Sequence, residues 1–548
     1  MTRTAGAKLV DRALGKALKL PRATTGYTVT RDVAVPMRDG VTLLADHYAP
    51  TGGPVRGTLL VRSPYGRAGA FGLLYARPYA ERGFHVVSVS CRATYGSGGE
   101  VNAFAGEVED GADTVAWLRD QPWYTGSFAT IGASYLGLTQ WALLMDPPPD
   151  LKAAVIISGP HDTGRLMYGS GAIALLSVTG WTHGILHQGE HGAVGSLARA
   201  AIQKQKPIAS VLNGLPIGEA AHAAWGTKAP WYDEWLAHPD PTDPFWDSAR
   251  VTEALHRCEI PVLMHSGWQD LILEQVLESY EALHKRGVDV ALVIGPWNHG
   301  ELASKAAGVV ARDSFGWLAE HLVGDGTRLE PSPVRINVTG TDEWRELPSW
   351  PPATTERTLY LQPGGGLGDQ PAAADAAPSS FTYDPADPTP TVGGMTNALD
   401  AGRRDNATLE KRTDVLTFTG PVLDRAVEVV GSPVVELAQT TDNPHLDWFV
   451  RLCEVDAKGR SFNLSERFLR LDPSRADDVL RITLSPTAHC FRPGTRIRVS
   501  VSGGSFPAHD RNLGTGEGPA AGRGLKASRR TITHAAGAST LVLPVSGQ

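Results

Sequence analysis

Cysteine is scarce in this sequence. Cys91, Cys258, Cys453 and Cys490 are the four among 548 residues. They lie far apart and form no Cys-x-x-Cys pair, which argues against a disulfide scaffold and against a thiolate zinc site. Free thiols fit a reducing compartment, so a cytoplasmic location is expected. An excess of positive charge is also missing. Lys and Arg number 51 against 58 Asp and Glu, a net charge of -7. That balance argues against nucleic acid as a partner, which would call for a basic stripe. It argues equally against a polybasic membrane binder. No stretch holds 18 or more consecutive apolar residues, so no membrane span is expected. The opening "MTRTAGAKLVDRALGKALKLPRATTG" is cationic but lacks the unbroken apolar core of a secretory signal. Asp11 weakens a transit-peptide reading, which leaves a short surface helix or a frayed tail.

What is present is material for several domains. The length suggests about three. Apolar residues make up 42% of the chain, and the 60 glycines and 39 prolines point to many turns and a large β content. Up to Pro160, apolar runs such as "GTLLVRS", "FHVVSVS" and "LKAAVII" alternate with helical stretches such as "DGADTVAWLRDQPW". This rhythm predicts a parallel α/β sheet. Between residues 161 and 247 strand alternation stops, aromatics and histidines accumulate, and a mostly helical insertion is expected. The sheet resumes with "IPVLMHSGWQD" and "VDVALVIGPWNHG". Beyond residue 352, short alternating runs punctuated by Gly, Pro, Asn and Asp predict a β-sandwich. The expected division is therefore 27–160 with 248–352 as one discontinuous α/β domain, 161–247 as a helical cap, and 353–548 as the sandwich.

One stretch carries chemistry. In "ATIGASYLGLTQWAL" a serine, Ser134, sits where a strand turns into a helix. A serine hydroxyl becomes a useful nucleophile only beside a base, an acid that orients the base, and donors for the oxyanion. On an α/β-hydrolase sheet these follow in the order Ser, Asp or Glu, His. Asp270 follows the run ending "HSGW" and His299 the run ending "GPWN", so the required order is met at three strand ends. Taken singly, Asp270 reads equally well as a helix cap, and His299 reads first as an ordinary loop histidine. Ser134 departs from Gly-x-Ser-x-Gly, since Leu136 holds the position of the second glycine. Cys91, a second nucleophile to consider, has no histidine in the right order.

The stretches "VPMRDGVTLLADHYAP", "LLVRSPYGR", "GASYLG", "GWQD", "GPWNHG" and "PTAHCFRPGTRIRVSVSGGSFPAHDRNLGTG" run in one consistent order from Tyr27 almost to the end. In this the chain resembles the cocaine esterase-like (CocE/NonD) serine hydrolases, which are related to Xaa-Pro dipeptidyl-peptidases and α-amino-acid ester hydrolases. The Ser-Tyr-Leu-Gly elbow is the form this family uses. The resemblance implies an α/β-hydrolase domain with an inserted helical cap and a C-terminal jelly roll. It implies Ser134 as nucleophile, His299 as base and Asp270 as its orienter. It further implies an oxyanion hole made of the Tyr135 N–H and the Tyr65 hydroxyl; without it, Tyr65 would be read as packing at a strand end. One departure stands out: many relatives carry Arg-Gly where this chain has Arg92-Ala93.

The expected activity is that of a serine carboxylesterase acting on a small-molecule ester through an acyl-enzyme, with no metal or other cofactor. Hydrolysis of α-amino-acid esters, acyl amides or Xaa-Pro peptides is the alternative, and a catalytically dead binding protein a further one. Trp181, Trp268 and Trp297 are candidates for pocket walls, though each reads equally well as core. Capture of a free amine would need carboxylates at the acyl site, and Glu190, Asp162 and Asp233 are the candidates. The sandwich surface would accommodate a homodimer, but nothing in the sequence demands one.

Overall fold

The structure is a computed structural model that describes residues 5–101, 103–188, 206–325, 333–473 and 479–547. Its first layer is a ten-stranded sheet. The strands are β1 (Gly26–Pro36), β2 (Thr42–Thr51), β3 (Gly57–Ser63), β4 (Phe84–Ser90), β5 (Phe128–Ala133), β6 (Leu151–Ile157), β7 (Val262–Gln269), β8 (Val290–Asn298), β9 (Val334–Val338) and β10 (Glu343–Leu347). Their order across the sheet is β1-β2-β4-β3-β5-β6-β7-β8-β9-β10. From β4 and β3 through to β9 every pairing is parallel; β1, β2 and β10 are the antiparallel strands.

The parallel strands are apolar on both faces because helices cover both. Alternation sorts their side chains into two cores. Leu60, Val87, Phe128, Ala154 and Ile156 pack on one side. Leu59, Val61, Val86, Ile131 and Val155 pack on the other. The N-terminal helix Ala5–Ala17 is docked. Asp11 is buried, accepts a hydrogen bond from the Tyr27 hydroxyl at 3.0 Å and pairs with Arg77. A side chain that counted against a targeting role is thus an anchor.

Between β6 and β7 the described residues form helices, among them Thr163–Tyr168, Leu175–Leu186, Ile217–Trp225 and Pro230–Ala237, and no strand. From Thr355 to Val545 the chain is built of short strands forming a jelly-roll sandwich around Leu437, Trp448, Val450, Phe491 and Val499. It meets the sheet at β9, where Thr339 bridges His489. No helix among the described residues is long and apolar enough to cross a membrane.

Candidate active site

The turn at Ser134 is a strained one. Its backbone has φ 60° and ψ −120°, a conformation that L-residues rarely adopt, and it joins β5 to the helix Tyr135–Leu143. Glycines on either side make the turn sterically feasible. A Cβ on Gly132 would lie 2.3 Å from the Leu136 Cβ, so the leucine in the +2 place is accommodated by glycine in the −2 place. Gly137 packs directly on Gly159: a Cβ there would come within 2.5 Å of the Gly159 Cα. Gly137→Ala is expected to destabilise the fold by about 1–3 kcal/mol, the usual cost of overpacking a close-packed site. Thermal unfolding would check this; an unchanged melting temperature would mean that the helix shifts freely.

Asp270 is fully buried just past β7, and its Oδ1 lies 2.9 Å from His299 Nδ1. A carboxylate can only accept, so Nδ1 carries the proton and Nε2 remains the basic nitrogen. Oδ1 also accepts the Ile272 N–H at 3.1 Å, and Oδ2 accepts from the Ser266 hydroxyl at 2.8 Å. Asp270 thus contacts both the turn that follows β7 and the His299 ring. Burial pushes its carboxyl upward, but the neighbouring His299 and the hydrogen bonds from His299, Ser158 and Ile272 outweigh that, leaving it below the ordinary aspartate range.

Ser158 was not visible as a site residue in the sequence. It follows β6, is fully buried, has φ +47°, and places Oγ 3.2 Å from His299 Nδ1. A strained, non-glycine left-handed residue leaves no mark in composition or periodicity.

Tyr65 and Tyr135 face the same recess as Ser134 and His299. The Trp181 indole N–H donates to the Tyr65 hydroxyl at 3.1 Å. Tyr135 opens the helix whose internal hydrogen bonds start with Gly137 and Leu138 on the Ser134 carbonyl. Its side chain is held from behind: the hydroxyl donates to Glu107 Oε1 at 2.8 Å, and Glu107 is paired with buried Arg62 at 2.5 Å. Cys91 lies against the same glutamate, and burial followed by that negative charge raises its thiol well above the ordinary range. A thiol kept protonated in this way is no nucleophile.

The recess is open to solvent on one side and is lined mainly by aromatic and aliphatic side chains. Trp181 lines it together with Phe104 and Trp235, two aromatics absent from the sequence-based set. Phe104 stacks on both Tyr135 and Trp181, with centroids 5.0 and 4.9 Å away. The other two proposed wall residues are corrected to core. Trp268 is 1% exposed, donates to the Asn337 carbonyl at 2.7 Å and packs on Trp350. Trp297 is folded back over Gly295, whose lack of a Cβ makes room for its ring, and packs on Trp344.

Of the amine-capturing candidates, Asp162 and Asp233 are not among the residues that line the recess. Asp162 accepts the Arg165 N–H as a helix cap and pairs with Arg250. Asp233 is exposed. Glu190 lies outside the described residues. Arg92 grips Asp110 with two nitrogens and also pairs with Asp39. Ala93 keeps the left-handed turn, φ +53°, that a glycine would enter without strain.

Residues 39–301 match the family model described as X-Pro dipeptidyl-peptidase (S15 family), and residues 328–542 match the X-Pro dipeptidyl-peptidase C-terminal non-catalytic domain. Cocaine esterase of Rhodococcus sp. (strain MB1 Bresler) is 31% identical over 543 residues, covering 89% of this chain and 93% of that one. The chain belongs to the CocE/NonD family of serine hydrolases. Two solved structures carry the same fold. An α-amino acid ester hydrolase superposes with a TM-score of 0.81 at 23% identity, covering 96% of this chain and 98% of its own. A CocE/NonD family hydrolase from Staphylococcus aureus gives 0.68 at 18% identity, with coverage of 95% and 94%. This CocE/NonD chain is accordingly a serine hydrolase, with an α/β-hydrolase sheet, helical insertion and C-terminal jelly roll.

Proposed function

We propose that this hydrolase is a carboxylesterase for neutral acyl groups, with Ser134 as nucleophile, His299 as base and Asp270 as the residue that orients it. Ser134 Oγ attacks the ester carbonyl carbon while His299 Nε2 takes its proton. The Tyr135 N–H and the Tyr65 hydroxyl hold the oxyanion. His299 then passes the proton to the departing alcohol oxygen, and a water deprotonated by the same nitrogen cleaves the acyl-enzyme. The reading is carried by one observation: Ser134, His299, Tyr65 and Tyr135 border a single recess, with His299 Nδ1 already engaged by a buried carboxylate.

The neutral acyl preference follows from the walls. Among the described residues that line the recess, none carries a carboxylate; they are mainly aromatic and aliphatic, including Phe104, Met167, Val178, Trp181 and Leu271. A free α-amino group would enter as an unpaired cation, which is costly in an apolar site. The test compares p-nitrophenyl butyrate with the p-nitrophenyl ester of 2-aminobutyrate. The butyrate is expected to have a kcat/KM at least about 10-fold higher, a modest share of the cost of desolvating an unpaired ammonium. Equal or faster turnover of the amino ester would reverse the assignment in favour of an α-amino-acid ester hydrolase.

A further inference from the structure

Asp270 and His299 are each preceded by an amide side chain, Gln269 and Asn298. These two residues face each other as ladder partners across β7 and β8, just after the register shift that begins at Gly267. Both are nine-tenths buried, and both donate a side-chain hydrogen bond to the jelly roll; Asn298 Oδ1 also accepts the Glu301 N–H at 3.0 Å and so caps the short helix that His299 opens.

Gln269 Nε2 donates to the Leu464 carbonyl at 2.6 Å, and its Oε1 accepts from Asn463 Nδ2 at 3.0 Å. Asn298 Nδ2 donates to the Ala401 carbonyl at 3.2 Å. Asn463 ties the two anchors together. Its Nδ2 also donates to the Gly402 carbonyl at 3.1 Å, and its Oδ1 accepts the Arg404 N–H at 2.7 Å. A Cβ on Gly402 would sit 3.1 Å from Asn298 Nδ2, so the loop that Asn463 pins lies directly against Asn298. Beyond Asp270, Glu274 pairs with Arg467 on the same jelly-roll strand, Ser461–Arg470.

We infer that Asn463 is a positioning residue: through Gln269 and the Gly402 loop, the C-terminal domain sets the spacing of the acid and the base. The inference rests on Asp270 and His299 having the roles proposed above. Burial favours it physically. A buried amide must satisfy both its donor and its acceptor, so each link tolerates little rotation. A shift of either strand end would move His299 relative to Ser134, and catalysis is sensitive to displacements on that scale.

Asn463→Asp tests this without changing shape. It removes the NH₂ that serves Gln269 and Gly402 and keeps the oxygen that accepts from Arg404. Gln269→Met breaks the same link from the sheet side, which keeps the test available if the aspartate variant fails to fold. Rates of p-nitrophenyl butyrate hydrolysis are taken per active serine, counted by the p-nitrophenol burst, and thermal unfolding is followed alongside. The expected result is a fall in kcat of about 10-fold or more, towards the 10²-fold that a 1 Å misplacement costs. KM should stay unchanged, because acylation and deacylation use the same base and slow together. The double variant should be no slower than the worse single one. An unchanged kcat per active serine, with only the melting temperature or the active fraction reduced, would overturn the inference and leave Asn463 as packing alone. Ser134→Ala, run in parallel, separates the two levels. If it keeps full activity, the triad assignment fails; if it is dead while Asn463→Asp has wild-type kcat, only the positioning role fails.

Discussion

Ser134→Ala should lose hydrolysis of short p-nitrophenyl esters by on the order of 10⁵-fold or more, the scale of single nucleophile removals in other serine hydrolases. The loss should sit in kcat, since the recess is lined mostly by other residues. The fold should survive the change: the tight packing at the elbow is made by Gly132, Leu136, Gly137 and Gly159, not by the serine side chain. Alanine at φ 60° carries the same backbone strain as serine, so melting should move little. Release of p-nitrophenol from wild type and variant side by side is the measurement. Equal rates would remove Ser134 from the mechanism. Silence from both would point to a pocket that rejects simple esters, or to a protein that binds without turnover, and a wider ester panel would divide the two.

Tyr65→Phe should lower kcat by about 10²–10³-fold, the range seen when one oxyanion donor is removed. KM should change little, because in the proposed mechanism the hydroxyl stabilises charge that exists only in the transition state. The hydroxyl is prepared for that role by the Trp181 indole N–H, which donates to it at 3.1 Å. A hydroxyl that accepts one hydrogen bond donates another more strongly. Steady-state kinetics on the same ester checks the split. A raised KM at constant kcat would make Tyr65 a wall of the pocket and leave the oxyanion to backbone donors.

Much of this was legible in the chain. The apolar runs of β3, β4 and β6 and their alternation with helices reveal a parallel sheet because such strands are buried on both faces. The order of Ser134, Asp270 and His299 was readable because the ends of parallel strands converge on one edge of the sheet. What stayed hidden depends on tertiary packing. Trp268 and Trp297 stand two residues before Asp270 and His299, but they lie inside β7 and β8 rather than past the strand ends, and they turn into the cores. Phe104, in a glycine-rich loop, and Trp235, on a cap helix, reach the recess through contacts that no local period announces. Ser158 enters through a backbone angle, and Ala93 holds a left-handed turn where glycine is the expected residue. Asn463 lies 194 positions from the glutamine it holds.

The bond between Trp181 and Tyr65 has an evolutionary consequence. Trp181 belongs to the helix Leu175–Leu186 of the inserted segment, whereas Tyr65 belongs to the loop that follows β3. An insertion that merely covered a pocket could be exchanged between relatives as a module, with substrate choice travelling along with it. Here the exchange would also replace the group that polarises the phenol. With Tyr65 in the proposed oxyanion role, recombination at the edges of the insertion would be constrained. A grafted segment has to bring a donor to the same point, or the recipient has to acquire a compensating residue near position 65, before a new specificity comes without a penalty in rate.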